Sequence, residues 1–98
     1  MRHSWVVGAL LGVCLMILAC GTEQSVHGLV IEVRGRDITQ VAAFTLQEQG
    51  SGRRWAFEAQ GPIGFTPSHL REHMLGGQPV TVWYRKEAGK LVATRVAD

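Results

Sequence analysis

His69 and His73 stand four residues apart, a spacing that brings two side chains to one face of a helix. Two imidazoles so placed can share a divalent metal ion or meet the edge of a haem. A closed metal site needs more donors. Glu72 falls off the shared face, no His-Glu-x-x-His spacing exists, and His27 is the one other histidine beyond the apolar N-terminal stretch. The histidines are therefore read as covering one end of a small domain, with no metal and no cofactor expected. The rival reading is a small-ligand carrier, for metal or haem, built on these two side chains.

Trp55, Phe57, Trp83 and Tyr84 form a second set, since flat rings in an exposed row stack on bases or sugars. Small domains need such rings in their cores, and most are assigned there. Trp83 and Tyr84 are adjacent, so a strand cannot turn both inward. Trp83 joins His69 and His73 as a candidate ligand-binding residue, with glycan, peptide or protein as its partner. Arg34, Arg36, Arg53 and Arg54 could line a basic edge against anionic lipid, but are read as solvated loop charge. No catalytic residue is assigned. There is no serine in a nucleophile elbow and no glycine loop to cradle phosphate, so the expectation is a protein that is not an enzyme.

The chain has two cysteines, Cys14 and Cys20. Arg2 charges a short polar start, and Val6 to Ala19 is apolar, interrupted only by Gly8 and Gly12. That run is shorter than the roughly 20 residues of a membrane span and has the layout of a signal peptide. Ile17, three places before the cut, is larger than an ordinary signal peptidase accepts. Ile17-Leu18-Ala19-Cys20 resembles the lipobox of bacterial lipoproteins. The resemblance implies cleavage before Cys20 and a diacylglyceryl thioether on its sulfur, with an N-acyl chain such as palmitate. It implies an anchor on the extracytoplasmic side of the cell envelope. Gly21 stands where aspartate would favour inner-membrane retention, so in a Gram-negative cell the outer membrane is implied. Lipidation also accounts for a lone thiol in an exported domain. At about 0.8 kcal/mol per buried methylene, one acyl chain holds marginally and two or more hold firmly.

These residues divide the chain into a signal peptide at 1–19, a lipidated tether at 20–25 and a domain at 26–98. Within the domain, Val26 to Val33 alternates as a strand, with Leu29, Ile31 and Val33 on one side and Val30 and Glu32 on the other. Gly28 inside it signals a bulge or a close backbone approach. Val41 to Glu48 and Trp55 to Ala59 form a hairpin about the loop Gln49-Gly50-Ser51-Gly52. Thr66 caps a helix with Pro67 in its first position, Ser68 to Leu75 forms it, and Gly76-Gly77 ends it. Leu70, Met74 and His73 share its inner face. Val80 to Arg85 and Leu91 to Val96 are the last strands. Val80, Val82 and Tyr84 face one way and Thr81 and Trp83 the other.

Three strands, a helix and two strands resemble the OB-fold, a small five-stranded barrel with a helix between its third and fourth strands. The expected fold is mainly β and OB-like. Closure suits a short chain without a disulfide, because it removes exposed sheet edges. The run His69-Leu70-Arg71-Glu72-His73, followed by Gly77-Gln78-Pro79-Val80, is similar to short bacterial exported proteins, a similarity that implies no activity. Net charge is +2, and beyond the signal the signs nearly balance, which does not mark a polyanion binder. Nucleic acid is not expected as a partner. The function expected is a membrane-anchored, non-enzymatic interaction module.

Overall fold

The computed structural model describes residues 23–98, so the expected signal peptide and Cys20 lie outside the described residues. Five strands, β1 (Gln24–Gly35), β2 (Val41–Glu48), β3 (Arg54–Glu58), β4 (Val80–Glu87) and β5 (Lys90–Ala97), alternate apolar and polar side chains as half-buried strands must. They close into a barrel in the order β1-β2-β3-β5-β4, with β4 returning to β1. The helix α1 (Pro67–Gly76) lies between β3 and β4. This is the expected OB-like architecture. All neighbours run antiparallel except β3 and β5, which meet in parallel at Glu58 and Val92.

β1 serves both sides of the closure. Its first half, Gln24 to Gly28, pairs with β4, and its second half, from Gly28 onward, pairs with β2. Gly28 is the shared residue, and a Cβ there would sit 2.2 Å from the Gln47 carbonyl oxygen. The close approach expected at this glycine is present. The faces of β1 differ from the expected ones. Val26 and Val30 point into the core, Leu29 and Ile31 are half-buried, and Glu32 is exposed. The ladder with β2 steps from Val30 opposite Leu46 to Glu32 opposite Thr45, leaving Ile31 as an extra residue. That bulge reverses the phase and turns Val33 toward the core, because one added residue exchanges the two faces of a strand. β1 also starts at Gln24, so Gln24 and Ser25 belong to the barrel and not to the tether.

Phe44, Leu46, Phe57, Val80 and Val82 fill the interior, and Leu70 of α1 is fully buried at the end that the helix closes. Phe57 is the hub of the rings, its centroid 5.3 Å from Phe44 and 5.4 Å from Tyr84. The segment between β3 and α1 seals the gap beside β5: the Val96 N–H donates to the Ile63 carbonyl at 2.8 Å, and both residues are buried. Ala88 and Gly89, with φ of 51° and 78°, make the tight turn between β4 and β5.

The helix has the expected boundaries for the expected reasons. Thr66 is extended, and its hydroxyl accepts from the His69 N–H at 3.2 Å. Pro67 takes a first-turn position where its missing donor is not needed. At the other end Gly77 is left-handed, with φ of 65°. Its N–H donates to the Met74 carbonyl, and the Gln78 N–H donates to the His73 carbonyl at 3.0 Å. This is the Schellman pattern, which satisfies carbonyls that the helix leaves free.

Candidate functional site

The helix-capped end of the barrel gathers the histidines. His73 faces inward and is 5% exposed, while His69, one turn earlier, is half-buried. Their ring centroids are 5.1 Å apart. Phe65, buried just before the helix cap, lies parallel to His69 at 4.1 Å and tilted against His73 at 5.3 Å. The aromatic ring thus restrains both imidazoles from one side. The C-terminal cap restrains His73 from another: its Nδ1–H donates to the Gln78 carbonyl at 3.3 Å, returning the bond that the Gln78 N–H makes to the His73 carbonyl.

With Nδ1 used as a donor, Nε2 is the free nitrogen of His73. It faces Asp98 Oδ2 at 3.4 Å. Asp98 is distant in sequence and arrives through the sheet. Ala97 of β5 pairs with Thr81 of β4, and α1 feeds into Val80 through Gln78 and Pro79, so the residue after Ala97 is carried to the end of the helix. One ligand atom each from His69, His73 and Asp98 lies within 4.8 Å of the other two. The helical spacing pairs the histidines in advance, whereas no local signal points to Asp98.

The third residue singled out from sequence, Trp83, is elsewhere. It projects from the outer face of β4, half-buried, and the Arg95 guanidinium covers its ring at 3.8 Å from the centroid. The other rings do not extend it into a platform. Phe57 and Tyr84 are core residues, and Trp55 packs against the core. Trp55 donates its indole N–H to Glu48 at 3.2 Å and carries Arg53 over its ring at 4.2 Å. Trp55 is thus covered by Arg53 from the loop just before β3 and Trp83 by Arg95 of the neighbouring strand, both cation–π contacts of the usual kind.

The four arginines do not share an edge. Arg34 pairs with Ala43 and Arg54 with Gln47, four positions apart along β2, or about 13 Å at strand rise. Arg36 is occupied in bonding the Ala59 carbonyl at 3.0 Å. His27 belongs to none of these groups and bonds the Thr81 hydroxyl at 2.9 Å.

A hollow of about 460 Å³ runs between the β1–β2 loop and α1, lined by Arg36, Asp37, Ile38, Pro67 and Arg71 among others. The loop is held by Asp37, whose Oδ1 accepts from the N–H groups of Gln40 at 2.8 Å and Thr39 at 2.9 Å and from the Thr39 hydroxyl at 3.1 Å. Those bonds, Gln40 foremost, favour the ionised carboxyl and hold it below its ordinary value of 3.8. At the loop tip Ile38 is 90% exposed, and Leu75, one turn beyond Arg71 on the helix, is 84% exposed. Among the described residues, no helix is long and apolar enough to cross a membrane.

No family model, curated protein or solved structure matches this chain.

Proposed function

We propose that this protein is a lipid-anchored, non-enzymatic interaction module of the bacterial cell envelope, with its OB-like barrel on the extracytoplasmic side. The observation that carries the module reading is the hollow beside α1. Ile38, a large apolar side chain left 90% exposed, is part of its lining, and an apolar side chain in water beside a hollow is a group that a partner's surface can cover. The hollow is open to solvent, which suits a protein or glycan surface better than a reaction that must exclude water. Its lining mixes arginine and aspartate, so it offers no uniform field to a polyanion such as nucleic acid.

The anchor reading is supported by Ile17-Leu18-Ala19-Cys20 and by the position of β1. Gln24 is four positions after Cys20, an extended reach of about 14 Å at most. A thioether lipid on Cys20 would therefore hold the barrel against the headgroups. Gln24 pairs with Tyr84, whereas α1 enters β4 at Val80, so the start of β1 lies four residues along β4, about 13 Å at strand rise, from where the helix joins it.

Labelled palmitate should enter the wild type and fail to enter Cys20→Ser, and only the wild type should fractionate with the membrane. A photo-cross-linking residue at Ile38 should then capture a reproducible envelope partner. A full-length precursor free in the cytosol with its thiol unmodified overturns the anchor. No reproducible adduct at Ile38 overturns the module.

A further inference from the structure

We infer that His69, His73 and Asp98 form a binding site for a divalent first-row transition ion, zinc by preference, at the helix-capped end of the barrel. The inference is independent of whether Cys20 carries a lipid. It begins from a mismatch of lone pairs. The Gln78 carbonyl can only accept, so the His73 bond to it places the hydrogen on Nδ1. Nε2 of the neutral ring then presents a lone pair to a carboxylate oxygen 3.4 Å away, which also offers only lone pairs. Two acceptors at that distance attract each other only with a proton or a cation between them. The rest of the site favours the cation.

First, the spacing is suited to a metal. Tetrahedral zinc with bonds of 2.0–2.1 Å separates its ligand atoms by about 3.4 Å. Nε2 and Oδ2 already stand at 3.4 Å, and the ligand atoms of all three residues lie within 4.8 Å of one another. Second, the residue that must close the gap can do so. Asp98 is exposed, so its carboxylate can swing onto an ion while the buried His73 and the Phe65-stacked His69 keep their ring directions. Third, His73 is oriented as zinc-bound histidines are, with its second nitrogen donating to a backbone carbonyl. Phe65 against His69 adds a second restraint on ring direction.

The donor set chooses the ion. Two imidazoles and a carboxylate suit zinc and its neighbours, whereas calcium and magnesium prefer oxygen-only sets. Haem fits poorly, because the His73 nitrogen that would bind its iron faces a carboxylate instead of an apolar slot. Three protein ligands leave a fourth position, open on the exposed Asp98 side, for water or for a donor from another molecule. Such a site exchanges its ion, unlike a closed structural one.

The test is zinc titration of the full-length protein in detergent, without a histidine tag, followed by replacement with cobalt. One zinc per chain is expected, with a tetrahedral cobalt spectrum free of a thiolate charge-transfer band. His69→Gln and Asp98→Asn should each weaken binding about 10-fold or more, and both metal-free variants should still unfold cooperatively. Neither side chain is fully buried, so neither variant empties a buried site as His73→Ala would. His27→Gln should bind like the wild type. Absence of saturable zinc binding, a thiolate band from Cys14 or Cys20, or unchanged affinity in both His69→Gln and Asp98→Asn overturns the assignment.

Discussion

Adding one methyl group at Gly28 tests the closure of the barrel directly. Gly28 lies opposite Glu48 in β2 and opposite Val80 in β4, so it is held from both sides. In Gly28→Ala the new Cβ would stand 2.2 Å from the Gln47 carbonyl oxygen, 2.8 Å from its carbon and 2.9 Å from the Glu48 Cα. All three are backbone atoms, so no side chain can swing away. Relief requires β1 and β2 to part by about 1 Å, since contacts closer than roughly 3 Å are repulsive. The bond from the Gln49 N–H to the His27 carbonyl, already 3.2 Å, would break with that movement. Overpacking costs about 1–3 kcal/mol, and each of one or two lost ladder bonds about 1 kcal/mol, giving roughly 2–5 kcal/mol. A domain of this size has roughly 4–10 kcal/mol in total. Urea unfolding followed by tryptophan fluorescence should therefore show a large fall in midpoint or a protein already unfolded in buffer. Gly61→Ala is the control, because a Cβ there meets nothing within 4 Å and its midpoint should move little. A Gly28→Ala midpoint indistinguishable from that of Gly61→Ala would refute the reasoning.

Two further outcomes follow from local geometry. Ala88 occupies a left-handed conformation in the β4–β5 turn, so Ala88→Gly should stabilise the fold by roughly 0.5–1 kcal/mol, read as a higher unfolding midpoint. Asp37 has its carboxyl below the ordinary value of 3.8 when folded, so the ordering it provides is present in full above that value and is lost as pH falls through the folded one. Amide protection at Thr39 and Gln40 should follow that course, and Asp37→Ala should show little protection at any pH.

Local chemistry decided much of the fold in advance. β2 and β3 were legible because Phe44, Leu46 and Phe57 alternate cleanly around a glycine-rich loop with two left-handed glycines. The helix was legible because Thr66, Pro67 and Gly77 each act within one turn. β1 was legible as a strand but not in its phase. The bulge at Ile31 depends on how β1 registers against β2, and a register between strands is not a property of either strand alone. The two helix histidines were visible at their four-residue spacing, whereas Trp83 gave no sign of being covered by Arg95.

What the sequence settled by itself is whatever a few neighbouring residues control: caps, turns, alternation, and hence the number, kind and order of the elements. The tertiary structure alone decided which distant groups meet. Asp98 reaches His73 because β5 lies beside β4 and β4 begins where the helix ends. That juxtaposition is made by closing the barrel, a step whose driving force is burial of apolar surface and carries no local signature around Asp98.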